Sequence, residues 1–482
     1  MPLRTSRRTR PATARRARSR AVAGRAAVAA VLLAAPLVTA VPAAAAPRAP
    51  VVDFDGDGYA DLATAAPEGT VSGVRSAGYV AVVYGSSAGA DTAHPLIVSR
   101  ALPWVPGEPS PHRFGMSTAA RDLDGDGYTD LVVGAYEGAA VLWGSASGLS
   151  SATELDGTVG DLAGGDFDGD GRDDLALAHD GRLQVRLGPF TRDGAPADTQ
   201  VFPEDEKKET WDVVAGDMNG DGRDDLVTTH GFEERSYPTL WWPGTATGID
   251  TEHPRTTGSP SVGGVVADVN GDGYGDYVGQ RVDAVSEMRM YEAGNVRVVY
   301  GGPDGPSPRT TSITQDTAGV PGVSEAGYRD GDDSDYGDRF GAALAAGDVT
   351  GDGYPDVAVG VPGEDIGAVR DAGSVVLLKG GPSGLTGSGA QAFDQSGSGV
   401  PGVSEAGDRF GGTVALLDVN ADDRADLAVG APTEDGTYAD SGAVWLFRGS
   451  KAGLTTNNIT SFGPSALKAP QKGALLGSAF AR

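Results

Sequence analysis

The chain has 482 residues and no cysteine, which removes disulfides, thiol nucleophiles and thiolate metal sites together. Its 74 Gly and 30 Pro describe a backbone that turns often and forms few long helices. The formal net charge is −28, and nine of the 38 basic residues fall within the first 46, so the remainder is more acidic still and argues against nucleic acid as a partner.

The N-terminus opens with an Arg-rich segment from Arg4 to Arg25. An apolar run from Ala26 to Val41, broken by Pro36, leads into Ala43-Ala44-Ala45-Ala46 ahead of Pro47. This order is that of a signal peptide with a small-residue cleavage site, and the run is too short to span a bilayer comfortably. Ser6-Arg7-Arg8 leaves the export route, general or twin-Arg, open. Residues 1–46 are read as a leader, and residues 47–482 as one secreted domain with no membrane span.

The first element after the leader is an acidic loop, Asp53-Phe54-Asp55-Gly56-Asp57-Gly58-Tyr59-Ala60-Asp61. It recurs at 122–130, 166–174, 217–225, 268–276, 348–356 and 418–426, seven copies in all. Repetition at tens of residues is the signature of a propeller or solenoid. Each copy is followed by an alternating apolar run such as Leu131-Val132-Val133-Gly134-Ala135, which predicts a short strand. Most are preceded by small residues, as in Gly341-Ala342-Ala343-Leu344-Ala345-Ala346-Gly347, suited to an inner strand where backbones converge. A third strand ends in a repeated turn at Tyr84-Gly85, Trp143-Gly144, Tyr300-Gly301 and Phe447-Arg448-Gly449.

The first copy has no room before it for an inner strand, whereas Ala474-Leu475-Leu476-Gly477-Ser478-Ala479-Phe480 has the look of the missing one. The expected fold is therefore all-β, a seven-bladed β-propeller whose C-terminal strand completes the first blade. Closure of this kind removes two open sheet edges.

Carboxylates at positions 1, 3, 5 and 9 of a short loop repel one another unless a cation lies between them. Calcium accepts many oxygen ligands in a flexible shell, and the EF-hand loop uses the same logic through position 7, with Gly at 6 for the turn. Magnesium, with its stricter octahedral demand, is second choice. A plain Asp-Gly hairpin turn needs no fourth carboxylate. Thr350 and the neutral Asn219, Asn270 and Asn420 lower the charge of their loops. The last copy also carries Ala421 and Asp423 where the others have Gly, so its site is expected to be the weakest.

Phe114-Gly115, Phe340-Gly341 and Phe410-Gly411 stand before an acidic loop, and Gly360-Val361-Pro362 and Gly430-Ala431-Pro432 stand after one. In these residues the chain resembles the FG-GAP repeats of integrin α propellers and their bacterial relatives. The resemblance weakens at 166, 217 and 268, where Phe-Gly is lost, and those three blades are expected to be ordered differently. It implies structural calcium loops between the first two strands of each blade, on the face opposite the ligand surface, with up to seven ions.

The ligands so implied are Asp53, Asp55, Asp57, the Tyr59 carbonyl and Asp61 in the first copy. In the second they are Asp122, Asp124, Asp126, Tyr128 and Asp130, and in the third Asp166, Asp168, Asp170, Arg172 and Asp174. Asp217, Asn219, Asp221, Arg223 and Asp225 follow, then Asp268, Asn270, Asp272, Tyr274 and Asp276. The last two sets are Asp348, Thr350, Asp352, Tyr354 and Asp356, and Asp418, Asn420, Asp422, Arg424 and Asp426.

Gly85-Ser86-Ser87-Ala88-Gly89 matches a hydrolase nucleophile elbow, but it occupies the same turn as Gly144-Ser145-Ala146-Ser147-Gly148 and Gly449-Ser450-Lys451-Ala452-Gly453. It reads as a repeated turn. His94, His112, His179, His230 and His253 show no ligand spacing, Trp241-Trp242 reads as core, and the acidic run Asp330, Asp332, Asp333, Asp335 and Asp338 reads as a solvated loop. Gly319 to Gly327 returns at 399–407, a sign of duplicated blades rather than a binding signature. The expected function is adhesion or recognition of a protein, matrix or carbohydrate ligand without catalysis. The alternative is a secreted hydrolase, phospholipase- or glycosidase-like, with its site in the propeller channel.

Overall fold

Each acidic loop joins two neighbouring strands of an antiparallel sheet, and the second repeat shows how. Ser117–Arg121, Asp130–Gly134, Ala139–Trp143 and Ser151–Leu155 pair in that order, with the loop between the first two. The second and third strands are buried along their whole length because both faces meet a neighbouring sheet. The outermost strand is partly exposed and mixes polar with apolar residues.

The computed structural model describes residues 52–482 apart from 158, 180–181, 204–208, 284 and 331–332. The leader expected at 1–46 lies outside the described residues. The described strands fall in one compact unit, Ala44–Arg482. Among them no helix is long and apolar enough to cross a membrane.

Among the described residues, five sheets have four strands each. The fourth and fifth repeats instead form one seven-stranded sheet, because Arg255–Ala267 serves both. Its first part pairs with Arg235–Trp242, through Leu240↔Thr256 and Trp241↔Arg255. Its second part pairs with Asp276–Arg281, from Ser261↔Arg281 to Ala267↔Asp276. The strand turns from outer to inner without a loop, and left-handed Gly263 and Gly264 absorb the register shift between Val262 and Val265. Of the three repeats that lack Phe-Gly and are expected to be ordered differently, only these two are; the third forms an ordinary four-stranded sheet, Asp161–Gly165, Asp174–His179, Arg182–Leu187 and Asp198–Val201.

The inner strands close a cycle. Ser117–Arg121 touches Asp161–Gly165, which touches Glu209–Gly216, then Arg255–Ala267, Ala343–Gly347, Thr413–Leu417 and Ala479–Phe480, which returns to Ser117–Arg121. The fold is an all-β propeller, and its first sheet is completed by the C-terminus through Thr64↔Phe480 and Ala65↔Ala479. The closing strand is shorter than the expected 474–480. Leu475 adopts a left-handed φ of 54°, and Leu476 leaves the first sheet to bridge Gly442 of the preceding one.

That departure has a pattern. Phe340 bridges Gly294 and Phe410 bridges Gly373 in the same parallel manner, and each follows a left-handed Arg339 or Arg409. Leu476-Gly477 is thus a degenerate Phe-Gly. The partner must be glycine: a Cβ on Gly373 would stand 2.3 Å from the Phe410 carbonyl oxygen, and one on Gly442 2.2 Å from that of Leu476. The Phe ring then fills the gap between sheets, as where Phe410 meets Trp445 edge-on at 5.2 Å.

Candidate metal centre

The loop geometry follows from its glycines. Gly56 and Gly58 are left-handed, which turns successive N–H groups inward towards the first carboxylate. Asp53 Oδ1 accepts from the N–H of Gly56 at 2.7 Å and Asp57 at 3.2 Å, and Oδ2 accepts from Gly58 at 2.9 Å. The same three bonds recur at Asp122, Asp166, Asp217, Asp268 and Asp348. At Asp418 the first is missing, and Ala421 and Asp423 take left-handed conformations that glycine adopts freely. These features bear on the low strength expected of the last site.

Carboxylates converge within these loops. Oxygens of Asp53, Asp55 and Asp57 lie within 4.8 Å of one another, as do those of Asp122, Asp124 and Asp130, and of Asp166, Asp168 and Asp174. Burial and the neighbouring carboxylates push the Asp55 and Asp168 carboxyls up. An all-oxygen acidic donor set of this kind fits a hard divalent cation.

The Asp at position 9 has a second task that sequence reasoning missed. Asp61 is buried, with Oδ2 accepting from Phe54 N–H at 2.7 Å and Oδ1 from Gly85 N–H at 2.9 Å. Its counterparts hold the turn glycines Gly144, Gly188, Gly244, Gly301, Gly380 and Gly449 in the same way. Burial pushes these carboxyls up, to about 8 at Asp130 and about 7 at Asp61, Asp174, Asp225, Asp276 and Asp356, although the backbone bonds pull the other way. The available signal was the recurring Gly after each third strand. For the fourth repeat that Gly follows Pro243, so Trp242 stands one place earlier than expected; it packs edge-on against Phe202 at 5.1 Å.

Neighbouring loops are also tied together. The position-8 N–H of one loop donates to the position-1 carbonyl of another: Thr129 to Asp53, Asp224 to Asp166, Gly275 to Asp217, Ala425 to Asp348 and Ala60 to Asp418. Pro355 occupies position 8 of the sixth loop and has no N–H to give.

Arginine competes for some of these oxygens. Arg192 reaches from the next sheet to place Nε 2.6 Å from Asp124 and Nη2 2.6 Å from Asp126, with its guanidinium over the Trp143 ring. Arg448 sits 2.7 Å from Asp426. The second and seventh loops therefore carry a built-in cation against part of their donor set.

The serine elbow and His112, the candidates nearest to a catalytic pattern, are held in other contacts. Ser86 donates to Gly89 O, as Ser145 does to Gly148 and Ser450 to Gly453, which makes the elbow a repeated turn. His112 meets both Ser110 and Glu137, but through the same Nδ1, so it cannot pass a proton between them. On the inner strands Asp161 accepts from Val213 N–H and Asp212 from Gly263 N–H, which ties each to the next inner strand, and Asp212 also accepts from the Thr229 hydroxyl of its own sheet.

Residues 46–83, 114–147, 340–378 and 410–447 match the FG-GAP repeat, and 166–228 match the FG-GAP-like repeat. The chain carries FG-GAP repeats in these segments. Three of the four FG-GAP segments begin on a Phe-Gly, and all four contain a complete acidic loop on the sheets described above.

Among its relatives, phosphatidylinositol-glycan-specific phospholipase D of Bos taurus is 39% identical over 127 residues, 25% of this chain and 15% of that protein. Integrin alpha-4 of Xenopus laevis is 37% identical over 123 residues, 25% of this chain and 10% of that protein. The chain thus aligns with a small part of each relative's length. A solved structure of BBS1N in complex with ARL6DN, soaked with lead, covers 70% of this chain and 79% of its own at 13% identity and a TM-score of 0.40.

Proposed function

We propose that the protein is a secreted recognition module whose acidic loops bind calcium as a structural ion, and whose opposite end binds a ligand. One observation carries the recognition reading. In an antiparallel four-stranded sheet, the loops after the second and fourth strands lie at the end away from the acidic loops. Nine of the ten exposed large apolar or tyrosine side chains among the described residues lie in those loops: Tyr136, Val285, Met288, Met290, Val323, Tyr328, Tyr336, Val403 and Tyr438. Such concentration marks an interaction surface, and tyrosines supply anchors at low entropic cost.

Calcium would be held by the side chains at positions 1, 3, 5 and 9 and the carbonyls at position 7 named above, with magnesium the weaker fit. It would neutralise loops whose charges otherwise repel, and hold the strand ends they connect. Similarity over part of integrin alpha-4 supports adhesion, and similarity over part of a phospholipase D keeps hydrolysis as the competing reading. The leader-like residues 1–46 support release from the cell.

The test has two arms. An array of matrix proteins and glycans is probed with the wild-type chain and with a Tyr438→Ser, Val403→Ser, Tyr136→Ser triple variant. A ligand bound by the wild type and lost by the variant supports recognition. No ligand on the array, with robust turnover in an esterase, phosphodiesterase or glycosidase panel, would replace it with the hydrolase.

A further inference from the structure

Beyond the acidic loops, two clusters of buried carboxyls occupy the other end of the propeller and draw on the segments 315–338 and 395–408, where the sequence reads as a duplication at 319–327 and 399–407 and as a solvated loop at 330–338. Asp408 is buried and its Oδ2 accepts from Glu405 N–H at 2.6 Å. Glu434, from the loop after the second strand of the seventh repeat, lies against it, and its Oε2 takes the Gln395 amide N–H at 2.6 Å. Glu405 and Asp435, both acidic, also act on the pair, and Arg409 lines the same pocket.

The preceding repeat builds the same group. Asp338 is buried rather than solvated and accepts from Glu325 N–H at 2.5 Å, while Glu364 takes the Gln315 amide. Glu364, Glu325 and Asp365 act on Asp338 in turn. Asp338 and Glu364 stand as far apart along the chain as Asp408 and Glu434, and the insertion between Glu325 and Asp338 carries the pairing of Tyr328–Asp330 with Asp333–Asp335. Burial pushes Glu434 and Asp338 up to about 7 and Asp408 up to about 6.

A second observation points to a ligand. Gln315 and Gln395 are 2% and 1% exposed, and in both the amide Oε1 has no hydrogen-bond partner among the described residues. Each orphan oxygen shares its amide group with the nitrogen that touches the glutamate carboxylate, and so lies next to the cluster. A buried carbonyl oxygen without a donor is costly, and here it occurs twice at equivalent places beside carboxyls that form no salt bridge among the described residues. One species satisfies all these groups at once: a hard cation that takes carboxylate and amide oxygens and neutralises the charge.

The geometry points to a second pair of divalent-cation sites, with Gln395, Asp408 and Glu434 as ligands of one and Gln315, Asp338 and Glu364 of the other. Calcium suits the all-oxygen set. Each site pins together the loop after the second strand of one blade and the connection entering that blade, the segments that carry Val403 and Val323. The cation would thereby order the exposed end independently of the acidic loops.

Calcium stoichiometry of the full chain by native mass spectrometry tests this. The variant Asp338→Asn, Glu364→Gln, Asp408→Asn, Glu434→Gln is expected to bind two fewer ions than wild type, and an Asp348→Asn, Asp352→Asn variant to lose its ion from an acidic loop without affecting these two. An unchanged count in the first variant overturns the proposal whatever the acidic loops do. Should that variant fold poorly, crystals of the wild-type chain soaked in terbium decide the matter. An anomalous peak between Gln395, Asp408 and Glu434 supports the site, and terbium at acidic loops with none there overturns it. Terbium at the cluster with empty acidic loops would instead remove the structural-calcium reading and leave this one standing.

Discussion

At the residue scale, one arginine changes what an acidic loop can do. Arg192 neutralises Asp124 and Asp126 from outside the loop, so a metal entering the second site must displace it. Arg192→Ala is expected to tighten calcium at that loop by roughly fivefold, the size of a partly exposed ion pair. Titration of wild type and variant followed by mass spectrometry checks it, and an unchanged loading order would show that the guanidinium does not compete. The position-9 aspartates set a pH dependence. Their folded pKa values near 7 stand above the unfolded value of 3.8, so the metal-free fold binds more protons than the unfolded chain between those limits. Stability under chelation should be highest at low pH and fall as pH rises through about 7. Melting in chelator at pH 5 and pH 7.5 checks the sign, and the gap should narrow when calcium replaces those protons.

At the element scale, the junction between blades rests on a glycine and a phenylalanine from different repeats. Gly373→Ala meets two obstacles, a left-handed φ of 84° and a Cβ only 2.3 Å from the Phe410 carbonyl oxygen. A loss of about 2 kcal/mol or more in unfolding free energy is expected. Gly367→Ala is the control, since its φ is also left-handed but nothing stands near its Cβ; the difference between the two in denaturant isolates the contact. The Phe-Gly pairs were legible as a motif, yet their partners were not. Gly294, Gly373 and Gly442 look like any other glycine of the chain, and Leu476-Gly477 departs from the motif in the residue that defines it. What marks these positions is the approach of two backbones, which leaves no trace in hydrophobic periodicity.

For the whole molecule, ring closure rests on a two-residue strand supported by the N–H groups of Gly477 and Ser478 on Ala65 O, Ala481 N–H on Ala63 O, and Ala120 N–H on Arg482 O. Removal of residues 474–482 exposes the inner edge of the first sheet and the apolar surface under Leu476 and Phe480. The truncated chain should melt at a lower temperature and self-associate. Differential scanning calorimetry with light scattering checks both, and an unaltered melt would mean that closure contributes little. The fused fourth and fifth repeats were foreshadowed only by the loss of Phe-Gly. No residue pattern announces that Arg255–Ala267 passes from outer to inner strand, because the turn is made by a bulge at two glycines in a sequence full of glycine.

The repeat, the all-β class, the acidic loops and their place between strands were legible from the residues alone. All of these depend on contacts within nine residues or on strict recurrence, where spacing along the chain is spacing in space. Packing between repeats settled the rest. It turned the position-9 aspartates into staples for the third-strand glycines, set Arg192 against a loop of another repeat, and brought Gln395, Asp408 and Glu434 together from separate connections. In those groups the partners come from different loops or repeats, and burial rather than composition fixes their charge. Such pairings arise from how the blades meet around the ring, which no single repeat encodes.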